Sequence, residues 1–94
     1  MAFENVLLRM RRLIRDRSYV LTIHADEEMD ADGLTISDVE AVFLRGQIVE
    51  RQRDRMSGER KYRLRGTTGD GGMAEVIARI GPTGKVVVIT VYRI

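Results

Sequence analysis

The chain has 94 residues, 44% of them hydrophobic and 32% charged, with a formal net charge of +2 and no cysteine. That length fits one domain around one modest core, and the ordinary apolar fraction excludes a disordered or low-complexity chain. The missing cysteines exclude disulfides, thiol nucleophiles and thiolate metal ligands, which points to the cytoplasm, and the longest apolar run, Val86 to Val91, is too short to span a bilayer.

In chain order, Phe3, Val6, Leu7, Met10, Leu13 and Ile14 recur at helical spacing and predict a helix over residues 2–16. Arg11, Arg12 and Arg15 fall on the opposite arc as a solvated face, and arginines at positions 9, 11 and 12 break any resemblance to a secretion signal. Tyr19 to Ile23, β-branched and aromatic, predicts a brief strand. A second helix starts near His24, where Asp26, Glu27 and Glu28 crowd the first turn and meet the positive end of the helix dipole, and Gly33 ends it. Thr35 and Asp38 have the spacing of a reciprocal N-terminal cap, with Leu34 and Val39 placed as a hydrophobic staple. The third helix therefore spans about residues 36–45, buries Ala41 to Leu44, and stops at Gly46.

Four strands follow: 47–54, 60–66, 73–80 and 85–93. Ser57-Gly58, Gly69 to Gly72 and Gly81 to Gly84 are turn material, so the strands form an antiparallel meander. The last is apolar on both faces and belongs inside the sheet. The predicted fold is α+β, three N-terminal helices packed on a four-stranded, mainly antiparallel sheet that the Tyr19 segment extends if it pairs. No internal repeat or linker is apparent.

Charge is unevenly placed along this plan. Residues 24–40 hold seven carboxylates and no Lys or Arg, which reads as solvated helix faces, whereas residues 51–65 hold seven cations against Asp54 and Glu59. Within the basic block Arg51, Arg53 and Arg55, then Lys61, Arg63 and Arg65, recur at every second residue. In regular strands such spacing projects each trio from one face of the sheet, and a hairpin lays the two rows side by side as an anion-binding surface. Lys61 and Lys85 are the only lysines, and the bidentate guanidinium suits phosphate. Charged rows on exposed strands also serve simply to prevent edge pairing, and that reading stays open.

Tyr19-Val20-Leu21-Thr22-Ile23-His24-Ala25, Met29, Leu34-Thr35, Asp38-Val39 and Gly46 to Glu50, followed by Tyr62, Gly66, Asp70-Gly71 and Val88 to Tyr92, together resemble a bacterial family catalogued as Domain of Unknown Function 4258. The resemblance implies a small α+β domain similar to the RelE and BrnT toxins of toxin–antitoxin pairs, which are messenger RNA endonucleases. It also implies a cognate antitoxin of zinc-finger type, and RNA or the ribosome as target. Where related sequences place basic residues after the His-Ala pair, this chain has Asp26, Glu27 and Glu28, which repel a phosphate approaching His24.

RNA is cleaved without metal when the 2′-OH is activated, the phosphorane charge is neutralised and the leaving oxygen is protonated. On this view Arg63 and Arg65 neutralise charge, Tyr92 or His24 moves protons, and Arg51, Arg53, Arg55 and Lys61 hold the RNA. Histidine is the side chain suited to proton transfer near neutrality, but His24 is the only one, which excludes a paired-histidine mechanism. Structural roles are the alternative for each, His24 at a strand-to-helix junction and Tyr92 in strand packing. The carboxylates show no metal-ligand spacing, and the glycines at 69, 71 and 72 precede no helix that could receive a phosphate, so neither metal nor cofactor is expected. A non-catalytic module that binds nucleic acid or an acidic protein through the same face is the second reading, and a homodimer formed through a sheet edge is a third.

Overall fold

The computed structural model describes residues 3–94, so the predicted helical start at Ala2 lies outside the described residues. The first apolar stripe forms α1 (Glu4–Arg15), with Leu7, Met10 and Ile14 buried. Arg11 departs from the solvated arc expected for it. Its Nε donates to the Phe43 carbonyl and its second nitrogen to the Gly46 carbonyl, both at 2.8 Å. One guanidinium thus satisfies carbonyls at the end of a helix that cannot satisfy them itself.

A short strand, β1 (Tyr19–Leu21), leads into α2 (Ile23–Asp32). The helix begins one residue before His24 because the Thr22 hydroxyl caps it, accepting the Ala25 N–H at 3.0 Å. Gly33 ends it in the left-handed conformation, φ 64°. The next helix, α3 (Ile36–Arg45), carries both halves of its predicted cap: Asp38 N–H to the Thr35 hydroxyl at 3.2 Å and Thr35 N–H to the Asp38 carboxylate at 2.9 Å.

The remaining chain forms β2 (Gln47–Arg53), β3 (Arg60–Thr67), β4 (Met73–Ile80) and β5 (Val86–Arg93), each bounded within a residue of expectation. These four make the antiparallel meander, but the sheet has five strands in the order β1-β5-β4-β3-β2, with β1 parallel to β5. It is therefore mixed rather than four-stranded. Val86 to Val88, apolar on both faces, take Tyr19 to Leu21 as an outer neighbour, and the ladder continues through Thr22 N–H to the Val88 carbonyl at 3.0 Å.

Beyond β1 the edge of β5 has no strand partner among the described residues, and α2 supplies carboxylates instead. Glu28 accepts the Val91 N–H at 3.0 Å and Asp32 accepts the Arg93 N–H at 2.8 Å. Part of the acidic block is thus committed to backbone donors rather than left as a solvated face.

The helices cover one face of the sheet. Tyr62, Leu64, Val76, Val88 and Val91 meet Met10, Val39, Val42 and Phe43 in a single buried core. The C-terminus of α3 lies directly on β3: a Cβ added at Gly46 would stand 2.4 Å from the carbonyl oxygens of Arg65 and Val42. Among the described residues no helix is long and apolar enough to cross a membrane.

Candidate functional site

The face of the sheet away from the helices displays every second residue of β3: Lys61, Arg63 and Arg65. If β2 and β3 paired regularly from Ile48–Leu64, Val49 would oppose Arg63, Glu50 would oppose buried Tyr62, and Arg51 would stand against Lys61. That register sets a carboxylate on the core side and two cations next to each other, both unfavourable. A β-bulge between Ile48 and Glu50 avoids them. Past it Glu50 opposes Arg63, Gln52 opposes Lys61, and Arg51 and Arg53 oppose Tyr62 and Arg60.

The two cation rows consequently lie on opposite faces of the hairpin and not side by side. Arg51 and Arg53 share the side of Tyr62 and the helices, while Arg55 sits in the turn beyond β2. Only Lys61, Arg63 and Arg65 remain on the open face, where Glu50 and Glu75 offset their charge.

Glu75 is the centre of that face. It opposes Arg65 on β3 and Tyr92 on β5, is only 3% exposed, and both its oxygens are engaged. The Tyr92 hydroxyl donates to Oε1, while Arg63 at 2.8 Å and Arg65 Nε at 2.7 Å donate to Oε2. Arg63 Nε also donates to Glu50 at 3.0 Å, and the Gln52 amide donates to the same Glu50 oxygen at 2.8 Å.

Burial pushes the Glu75 carboxyl up, but the hydrogen bonds from Tyr92, Arg65 and Arg63 outweigh it and hold its pKa below the ordinary value. The Tyr92 phenol is displaced upward by its bond to Glu75 and by burial, so it keeps its proton. Hydrogen bonds from Gln52 and Arg63 likewise hold Glu50 low. Two guanidinium groups, two carboxylates and a phenol thus form an ordered cluster with little net charge.

Of the residues singled out by sequence, Arg63, Arg65 and Tyr92 come together here. His24 does not join them: its side chain is 66% exposed and its Nε2 lies 3.2 Å from Glu28, which also seals the β5 edge. Glu75 and Glu50 had not been singled out. A lone carboxylate in the otherwise apolar run Ala74-Glu75-Val76-Ile77-Ala78 was the available signal, since an acid at such a position needs a cationic partner across the strand.

A second polar knot fixes the ends of β4 and β5. The Asp70 carboxylate accepts the Thr68 hydroxyl and the Gly72 N–H at 3.1 Å, and Arg93 lies 3.3 Å away; with these partners its pKa falls to about 2. Asp38, besides capping α3, accepts the Gly69 N–H at 2.8 Å. Among the described residues no three His, Asp or Glu side chains gather into a group that could hold a metal ion.

No curated protein and no solved structure matches the chain. A family model described as domain of unknown function (DUF4258) matches residues 21–93, the stretch from β1 through β5 that supplies Glu50, Arg63, Arg65, Glu75 and Tyr92. The chain therefore belongs to the DUF4258 family.

Proposed function

We propose that this protein is a RelE-like toxin of a toxin–antitoxin pair, a metal-independent endoribonuclease whose working groups are Arg63, Arg65 and Tyr92 backed by Glu75. One observation carries the reading: the arginines of β3 and the tyrosine of β5 converge on one buried, ionised carboxylate. Phosphodiester cleavage needs both charge neutralisation and proton transfer, and guanidinium and phenol groups are suited to these two tasks.

In this mechanism the 2′-oxygen attacks the adjacent phosphorus and the bond to the 5′-oxygen breaks, leaving a 2′,3′-cyclic phosphate and a 5′-hydroxyl. The Tyr92 oxygen accepts the 2′-OH proton as its own passes along the existing hydrogen bond to Glu75. Arg65, whose side chain is 44% exposed, and Arg63 turn donors towards the phosphorane oxygens. The departing oxygen takes a proton from water, whose hydroxide then recovers the proton held on Glu75 through Tyr92 so that both groups return to their starting state. Lys61, on the same face, extends the phosphate track. His24 has no part, consistent with its pairing to Glu28. A cognate antitoxin would act by covering this face.

The test is cleavage of end-labelled single-stranded RNA by purified protein in excess chelator. Wild type yields cyclic-phosphate ends, and Arg65→Ala and Tyr92→Phe each lose about a hundredfold in rate at a temperature where circular dichroism shows both still folded. RNA that binds with steep salt dependence but stays whole assigns the face to the non-catalytic binding module instead. RNA neither bound nor cut eliminates both.

A further inference from the structure

The bulge that neutralises the open face leaves uncompensated charge on the other. Arg53 and Arg60 stand directly opposite each other across the hairpin, and like charges in that position are destabilising unless something anionic lies between them. Arg53 reaches only the Gly58 carbonyl, at 3.0 Å, and no carboxylate of the described residues forms an ion pair with Arg51, Arg53, Arg60 or Arg9. Glu59, next to Arg60 in the chain, is committed elsewhere, its carboxylate 2.8 Å from Arg79.

Two of these cations, Arg9 and Arg60, line a cleft of about 290 Å³ between α1 and the hairpin, together with Val6, Glu59, Tyr62 and Ile80. Its floor is apolar. Beyond the rim, at the hairpin tip, Met56 is 99% exposed. A flexible thioether held fully in water beside a basic rim suits a surface that adapts to a protein.

We propose that this cleft is a docking site for an acidic segment of a partner protein, with carboxylates on the arginine rim and an apolar side chain on the Tyr62–Ile80 floor. The choice between a peptide and a nucleic acid follows from the aromatics. Single-stranded RNA is held by bases stacked on exposed rings, and here Tyr62 is buried in a T-shaped pair with Phe3, centroids 6.2 Å apart, so the cleft offers no stacking platform. Carboxylates and an apolar anchor use what is present.

The inference stands apart from the cleavage reading, because the two sites lie on opposite faces and are reached by different substitutions. Fluorescence anisotropy with a short labelled peptide, glutamates alternating with leucines, tests it on the full chain. Wild type binds, and the glutamine-for-glutamate version of the peptide does not. Arg9→Glu with Arg60→Glu weakens binding by about tenfold or more, and Met56→Ser, a fully exposed change, weakens it by a smaller factor without touching the fold. Arg63→Ala with Arg65→Ala leaves it within about twofold. The proposal is overturned if the peptide does not bind, if the open-face pair weakens binding as much as the cleft pair does, or if oligouridylate of matching length displaces the peptide from the cleft.

Discussion

Replacing Glu75 by alanine removes the carboxylate shared by Tyr92, Arg63 and Arg65, and its effect on stability can be worked from their surroundings. Breaking a fully buried ion pair costs about 3–5 kcal/mol because the partner charge is stranded. Here the stranded groups can recover: Arg63 and Arg65 side chains are 25% and 44% exposed, and Arg63 keeps its bond to Glu50. Tyr92 loses an acceptor worth about 1 kcal/mol. The balance is a loss of about 2 kcal/mol, which for a domain of this size lowers the melting temperature by roughly 8–16 °C. Urea and thermal unfolding followed by circular dichroism measure it. A double-mutant cycle with Arg65→Ala should return a coupling of about 1 kcal/mol, since the two side chains share one hydrogen bond. Glu75→Ala within about 0.5 kcal/mol of wild type, with an additive cycle, would show that the cluster does not act as a unit and refute the reasoning.

Acid should weaken the fold through the β3–β4 turn. The Asp70 pKa lies at about 2 when folded against an ordinary 3.8, so its contribution is complete above the ordinary value and is lost as pH falls towards 2. Urea unfolding across that range should show a shallower acid limb in Asp70→Asn than in wild type, and parallel limbs would contradict it. Gly46→Ala should destabilise by about 3 kcal/mol, because its Cβ would meet two backbone oxygens that cannot move without separating α3 from β3. A melt unchanged from wild type would mean that this contact yields freely. Arg11→Ala should lose about 1–2 kcal/mol through the two carbonyls it satisfies, while Arg12→Ala stays within about 0.5 kcal/mol, and equal effects would rule out the tether between α1 and α3.

Local chemistry was readable in the chain wherever the partners are close in sequence. Thr35 and Asp38 are three residues apart and cap each other, Gly33 has no Cβ to oppose its positive φ, and glycine-rich turns mark the ends of β3 and β4. What the sequence did not disclose depends on partners far along it. Arg11 seemed solvated because its acceptors, at Phe43 and Gly46, are more than thirty residues away. Glu28 and Asp32 seemed a solvated acidic face because the donors they satisfy belong to the last strand. The parallel pairing of β1 escaped the same way, since Tyr19 to Leu21 meet Val86 to Val88 only after the whole meander has formed. For the candidate site, the cations could be read from strand periodicity and Tyr92 from the family resemblance; the lone Glu75 in an apolar run signalled a buried acid, but not which cations it gathers, because cross-strand pairing decides which charge faces which.

That dependence is sharpest at the bulge. Alternation counted along Glu50 to Arg53 is correct within β2, yet one additional residue before Glu50 turns Arg51 and Arg53 to the opposite face. The consequence is a division of charge. On the open face, Arg63 and Arg65 are ordered by carboxylates, which lowers their pull on a distant anion but fixes their geometry, as charge stabilisation in a transition state requires. On the helix side, Arg51, Arg53 and Arg60 remain uncompensated, which fixes little but attracts anions over a distance of about a Debye length. On the two proposals above, a surface that holds two donors still and one that draws in a partner call for opposite treatments of the same residue type. A single inserted residue, Val49, gives one hairpin both.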